Sequence, residues 1–529
     1  MTQAIPRASR TGEVGTRVEQ QGKDGQDEGP VWRRRGRGLD YATRVQVTAH
    51  QFMARRAVVA LTLRHVGMES PQARRQSMAY MAGVSVVIVG CLVALFWSLL
   101  RPAGSVGNSK IVADQDTSAL YVRLGEKLYP ALNLASARLV VGSAENPVRV
   151  RRSEIESLPR GPLVGIPGAP DELLVAAPMT SSWLVCDAVT KAFGAGAPEP
   201  VTVTVIDGKP DLTDRRQVMA PEQALLLRYG ADVWLIRDGR RSRVDPAQRP
   251  VLLALGVTTE AIATARPMST ALFDAIPVGS ALTVPVIPRL GEPAGFADAP
   301  GPVGTVVSTP QVGGEPTYSV VLTEGMQTIA PVVAQILQNA NSSGAPMPVV
   351  AGPRLSDLPS ADSLDVSMYP RQRLDLIDSQ ANPATCWWWQ KSKGEGRAQT
   401  SLVSGPTIPI AADRVDQIAR PVNADKSGKR ADQVFFGPDS ANYVASTGND
   451  PTASTVETQW FITKEGTRFG VPRDEETERS LGVGTATLPA PWSVVRLLVA
   501  GPALSKAHAA VGHNSLPMDM QPGGLENPK

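Results

Sequence analysis

The sequence predicts an α+β protein: a single N-terminal transmembrane helix, then an elongated outer domain of four small α/β repeats flanking a strand-rich central domain. Three observations predict it. An uncharged apolar run of 22 residues lies near the N-terminus, Gly and Pro are abundant in the chain beyond that run, and distant segments match one another at a fixed spacing.

The membrane helix is the firmest element. Residues 79–100 read AYMAGVSVVIVGCLVALFWSLL, and a helix of about 20 apolar residues spans the hydrocarbon core. In lipid, only a helix satisfies its own backbone hydrogen bonds within one segment. Tyr80 and Trp97 stand near its ends, where amphipathic rings favour the interface. The run is too long, and too far from the start, for a cleaved signal peptide. Arg55, Arg56, Arg64, Arg74 and Arg75 precede the run, whereas Arg101 and Lys110 are the basic residues soon after it. Positive charge stays inside, so the N-terminus is expected in the cytosol and the bulk of the chain in the periplasm-like space beyond an inner membrane.

Charge divides along the same line. The chain holds 53 Lys+Arg and 50 Asp+Glu; residues 1–78 take fourteen basic and seven acidic of these, which leaves the remainder slightly acidic. Residues 1–39 are polar and Gly-rich, with Arg33, Arg34, Arg35 and Arg37 clustered, and read as a disordered basic tail. Residues 40–78 read as an amphipathic helical arm, with Val45, Phe52, Val59, Leu63 and Val66 recurring near helical spacing between arginines. Such a helix docks on a partner, the favoured reading, or lies on an anionic lipid surface. No nucleic-acid motif accompanies the basic residues, so nucleic acid is not an expected partner.

Beyond the span, 47 Gly and 45 Pro across the chain favour short strands and turns. Segments 200 residues apart match: Gly125 with Gly325, Leu158-Pro159 with Leu358-Pro359, Cys186 with Cys386, Lys191 with Lys391. A second pair, opening at Trp234 and Trp460, runs through Gly239 and Gly466 to Leu255-Gly256-Val257 and Leu481-Gly482-Val483. Each reads as strand, Gly turn, strand, short helix. The repeats are placed at 101–176, 221–282, 311–370 and 431–505. The central domain takes 177–220, 283–310 and 371–430, with strand-like runs VTVTVI (201–206) and ALTVPVIP (281–288), and a flexible tail comes last at 506–529.

Cys186 and Cys386 are the two cysteines beyond the span, where an oxidising compartment preserves disulfides. A Cys186–Cys386 bridge stapling the two halves is expected; two free thiols, or pairing between chains, are the alternatives. Cys91 reads as a small apolar residue of the span. Trp387, Trp388 and Trp389 follow Cys386. One or two should pack over the bridge, and strand alternation should send at least one outward as an interface candidate.

No catalytic constellation stands out. His508 and His513 are the two histidines beyond the span and fall in the tail, which disfavours a His-dependent hydrolase or a zinc site. The sequence has no GxxxxGK[ST]; Gly208-Lys209 reads as a hairpin turn. Asp357, Asp362, Asp365, Asp375 and Asp378 lack the Gly-turned spacing of a calcium loop and read as a solvated face. No catalytic residue, metal or cofactor is expected from the residues. One helix cannot form a pore, so a single-span chain with so large an exterior is expected to work by contact, including self-association.

The run ATRVQVTAHQFMARRAVVALTLRHVGMESPQARRQS at 42–77 resembles the N-terminal signature of EccB proteins, membrane components of mycobacterial type VII (ESX) secretion systems. The resemblance extends through the span, the paired cysteines and the repeats, over residues 40–505. It implies a structural subunit of an inner-membrane export complex beside the EccC ATPase, EccD and EccE, with a mycosin protease in attendance. It also implies repeats similar to cell-wall-binding modules, hence peptidoglycan contact. ATP binding and hydrolysis enter by this resemblance alone.

Overall fold

The computed structural model describes residues 43–64, 71–100, 106–176, 178–190, 200–341, 346–422, 428–484 and 487–516. The basic tail, Arg33–Arg37 within it, and residues 517–529 lie outside them. The chain separates into two units, one ending at Trp97 and one beginning at Ser98.

The first unit contributes two helices. Helix α1 spans Arg44–Leu63 and starts at Thr43, whose N–H donates to the Gln46 side chain at 2.9 Å. Within the stretch 40–78, α1 covers Arg44–Leu63 and the start of α2 covers residues 71–78. Arg55 and Arg56 are exposed along it, and Arg64 ends it with a left-handed backbone. Helix α2 spans Pro71–Leu100 and begins before the apolar run, so Arg74 and Arg75 lie on its first turns. Within it, Ser77–Trp97 is long and apolar enough to cross a membrane, and none of its side chains is buried. Among the described residues it is the one helix of this kind.

Among its described residues the second unit holds five sheets. Four of them open with a three-stranded antiparallel meander. The first joins Ile111–Asp114, Leu120–Leu124 and Lys127–Ala131; the second, Gln223–Tyr229, Asp232–Arg237 and Arg240–Arg243. The third joins Val306–Thr309, Thr317–Val321 and Met326–Ile329; the fourth, Tyr443–Thr447, Val456–Ile462 and Thr467–Val471. A helix follows each meander: Leu134–Val141, Arg249–Leu255, Pro331–Asn341 and Glu475–Leu481. The chain then returns in parallel beside the first strand of each meander, at Val148, Arg266, Val349 and Leu488. A shorter helix comes next, and a second parallel return runs beside the third strand, at Arg160, Val278, Ser360 and Val499.

The matched glycines fall at the second hairpin turn of each meander, but not at one common position. Asp238 and Gly239 form a two-residue turn with φ of 48° and 67°, the geometry that suits right-twisted hairpins. Gly125 opens its turn, whereas Gly325 closes a longer one without a positive φ. Gly325 is needed for space, since a Cβ there would lie 2.5 Å from the Pro359 carbonyl oxygen. That carbonyl accepts from Met326 N–H, as the Pro159 carbonyl accepts from Leu128 N–H, which accounts for the matching Leu-Pro pairs.

The fifth sheet is central, in the order Gln433–Phe436, Val201–Asp207, Thr180–Val189, Ala384–Ser392, Gln399–Gly405, Gln217–Val218. VTVTVI is thus a strand. ALTVPVIP is not: Pro285 and Pro288 lack the N–H a ladder needs, and 281–288 holds no strand. Residues 283–305 do not extend the central sheet either. They cross the third sheet, where Gly295 and Gly304 donate to Thr323 and Val321, and Phe296 packs beside Val307 and Val321. The central sheet also takes Gln433–Phe436, placed by sequence in the last repeat, while Asp375–Leu376 pairs with the second sheet. Gly208 ends a central strand, but the next strand, Gln217–Val218, pairs with Gln399–Gly405, so Gly208-Lys209 turns no hairpin. The start of the tail is ordered. Lys506–Ala509 is helical with Ala509 buried, Gly512–His513 joins the first sheet, and His513 Nε2 lies 2.8 Å from the Gly165 carbonyl.

Packing interleaves the halves. The first sheet's helix Leu134–Val141 packs on Glu475–Leu481 of the fourth, sharing Ala135, Leu139, Phe461 and Leu481. The second sheet's helix Arg249–Leu255 packs on Pro331–Asn341 of the third.

Candidate functional site: the stapled central sheet

Thr180–Val189 and Ala384–Ser392 run antiparallel at the middle of the central sheet, and Cys186 sits directly opposite Cys386. Residues 200 apart pair with each other at one register position only, and that position is Cys186 with Cys386. The bond forms as expected, with Cα atoms 4.0 Å apart and both residues buried. The intramolecular bridge replaces both alternatives.

Alternation then distributes the tryptophans. Trp387 and Trp389 share a face with Trp183 and Val185, while Trp388 shares the other with the cysteines and Leu184. The expectation of an outward tryptophan fails because both faces are covered. Helices Thr270–Ala275 and Trp492–Val495 close the first face through Leu272, Val494 and Val495. The segment carrying Ile408, Ile410 and Ile418 closes the second. Trp387 and Trp389 are 0% and 1% exposed and Trp388 is 9%, its indole N–H donating to Ser182 Oγ at 3.0 Å. Large indoles at a sheet covered on both faces serve the core rather than an exposed interface.

Two buried carboxylates join this sheet to its neighbours. Asp187 accepts from Ser269 N–H at 2.6 Å and Ser269 Oγ at 2.7 Å, where helix Thr270–Ala275 begins. Burial pushes its carboxyl up to about 7, the Ser269 bonds oppose the rise, and Asp432 adds to it. Asp207 accepts from Ala441 N–H with both oxygens, at 3.2 and 3.0 Å, just before the fourth sheet; burial raises it well above the usual carboxylate range.

Two cation–aromatic stacks flank the sheet. Arg241 lies 3.7 Å from the Phe273 ring centroid and 5.6 Å from that of Trp234; Arg468 lies 4.6 Å from Trp460 and 5.1 Å from Trp492. This explains why segments opening at Trp234 and Trp460 match. Sequence reasoning missed Arg241, Phe273, Arg468 and Trp492, although an arginine seven or eight residues after each tryptophan is visible in the sequence. No group of three or more His, Cys, Asp or Glu side chains among the described residues could hold a metal ion.

Residues 39–518 match the family described as "Type VII secretion system ESX-1, transport TM domain B". The chain is 53% identical over 495 residues to the ESX-5 secretion system ATPase EccB5 of Mycobacterium tuberculosis (strain ATCC 25618 / H37Rv), covering 93% of this chain and 98% of that one. It is 38% identical over 487 residues to the ESX-3 secretion system ATPase EccB3 of Mycolicibacterium smegmatis, covering 90% and 92%. Its fold is similar to a chain of an intact ESX-5 inner membrane complex, with a TM-score of 0.74 at 51% identity, covering 93% of this chain and all of that one. It is also similar to a chain of the EccB3 dimer from the ESX-3 core complex, with a TM-score of 0.68 at 36% identity, covering 76% and 100%. With a family match running from the arm through the span to the closing strand, the chain belongs to the EccB family of type VII secretion membrane components.

Proposed function

We propose that this chain is a structural and assembly subunit of a type VII secretion membrane complex, of the ESX-5 kind. The observation that carries the reading is the near full-length likeness, span included, to a chain of an intact ESX-5 inner membrane complex. The higher identity to EccB5 than to EccB3 supports the ESX-5 assignment. The arginines before the span support a cytosolic N-terminus with the five sheets on the far side. EccC, EccD, EccE and a mycosin protease are the partners, by family resemblance. Self-association is supported by the dimer that the ESX-3 relative forms. We read the four smaller sheets as copies of one unit, two per half around the central sheet, and their common order of strands and helices supports this. Contact with peptidoglycan is part of the proposal through the family's likeness to wall-binding modules.

A second reading, ATP hydrolysis, is favoured by the relatives' designation as ATPases. The test is deletion of residues 40–66 in cells that secrete through the system. Assembly should fail while the outer unit stays folded; full incorporation of the truncated chain would refute docking through the arm. ATP turnover that survives stringent purification of the full chain would favour the second reading.

A further inference from the structure

The middle hairpins of the second and fourth sheets each line a groove. In one, hairpin 232–243 presents Leu235, Arg237 and Ser242 toward Ser367 and Met368 around a cavity of about 540 Å³. In the other, hairpin 456–471 presents Phe461, Thr463 and Phe469 toward the segment 170–176 around about 600 Å³. Leu235 pairs with Ser242 as Phe461 pairs with Phe469, so the same hairpin face lines both. Counting from Trp234 and Trp460, Arg237 corresponds to Thr463.

Their chemistry differs. Arg237 crosses its groove, donating to the Met368 carbonyl at 3.1 Å and pairing with Asp238. Thr463 is too short to cross, which leaves the second groove open. Phe461 and Phe469, each 2% exposed, lie beneath it, the part-buried Phe436 and Val175 form its walls, and its rim carries Asp171, Glu172 and Glu465 against one cation, Lys464. Glu172 and Glu465 are exposed, and neither has an ion-pair partner among the described residues. The outer wall is held in place by Asn442. Its amide accepts from Ala176 N–H at 2.8 Å and donates to the Leu174 carbonyl at 2.6 Å, while the Leu174 side chain stands 74% exposed at the lip.

We propose that this groove receives an arginine side chain carried on an extended segment of a different subunit of the complex. The guanidinium takes the place that Arg237 takes in the internal copy. A planar guanidinium suits a site that is aromatic on one side and carboxylate-rimmed on the other, since it stacks on rings and pairs with carboxylates at once. A compact ammonium stacks less well and holds its hydration more tightly. The proposal deepens the assembly-subunit reading and rests on it.

The test uses the full chain in its native membrane, with a photo-activatable residue at Leu174 and a control at Val286, which is 85% exposed on another part of the surface. Crosslinks from 174, mapped by mass spectrometry, should fall within a few residues of an arginine of another subunit. Thr463→Arg, which supplies the guanidinium from within the chain, should reduce that crosslink at least about tenfold, as loss of one charge-assisted contact would. If Thr463→Arg does not fold, Glu172→Gln with Glu465→Gln decides instead, with the same loss expected. Crosslinks to a segment without arginine, crosslinks to a second copy of this chain, or crosslinks indifferent to these substitutions would overturn the proposal. So would no crosslink at 174 while the chain remains in the intact complex on native gels. Absence of the chain from the complex would instead count against the assembly reading itself.

Discussion

Replacing Cys186 and Cys386 by alanine, singly and together, isolates what the staple contributes. The ladder between Thr180–Val189 and Ala384–Ser392 pairs nine residues on each strand, so these strands stay in register without the bond. Both faces of the sheet are packed, which holds the cysteine positions in place. The main effect therefore falls on the unfolded chain, which gains freedom when a crosslink spanning 200 residues is removed. The chain-entropy relation gives about 5 kcal/mol for a loop of that length, an upper figure. The unit from Ser98 to Lys529 has roughly 430 residues and an unfolding entropy of about 0.9 kcal/mol/K at the usual value per residue. The melting temperature should then fall by about 6 °C. Each single variant already breaks the bond, so singles and double should agree to within about 1 kcal/mol, the remainder being the packing of one buried sulfur. The assay is a thermal melt of the purified full chain in detergent, oxidised against reduced. If reduction leaves the wild-type melt unmoved, or if the two singles differ by several degrees, the bond is not acting through the unfolded chain and the reasoning is wrong.

Single positions elsewhere give three further expected outcomes. Asp187 has a folded pKa of about 7, above its unfolded value, so the stability it contributes is present below about pH 4 and is lost as pH rises through about 7. The unfolding free energy from denaturant titration should fall over that window by up to about 1.4 kcal/mol per pH unit from this group, and Asp187→Asn should flatten the slope; an unchanged slope would assign it elsewhere. Trp389→Ala empties a fully buried site and should cost about 3–5 kcal/mol by equilibrium unfolding, whereas a cost near zero would contradict its place in the core. Gly325→Ala forces a Cβ against the Pro359 carbonyl and should cost about 1–3 kcal/mol, while Gly313→Ala, with open space but φ of 75°, tests backbone strain without the clash.

Much of this architecture is legible in the amino-acid sequence. An uncharged run of 22 residues has one stable conformation in lipid, so composition alone is enough for α2. Two cysteines beyond the span leave one intramolecular pairing, and the bridge formed. The Gly turns mark the hairpins of all four meanders because tight turns restrict residue choice locally. The Trp234 and Trp460 segments match because each sets an indole against an arginine and a second aromatic ring, but the ring comes from a helix tens of residues later and carried no local signal.

What tertiary structure alone decided was which surfaces are covered. Strand alternation correctly separated Trp388 from Trp387 and Trp389, but alternation assigns sides, not solvent. The layers that bury both sides come from residues 270–275, 408–418 and 492–495, far away in sequence. Residues 283–305 and 506–516 were misplaced for the same reason. Short, Pro-rich or polar stretches have no periodicity of their own, and what orders them is the sheet they lie across or join. The exchange of partners between halves was likewise invisible. Each helix's own sequence specifies an apolar face, whereas the partner of that face depends on contacts made far along the chain, Leu134–Val141 on Glu475–Leu481 and Arg249–Leu255 on Pro331–Asn341.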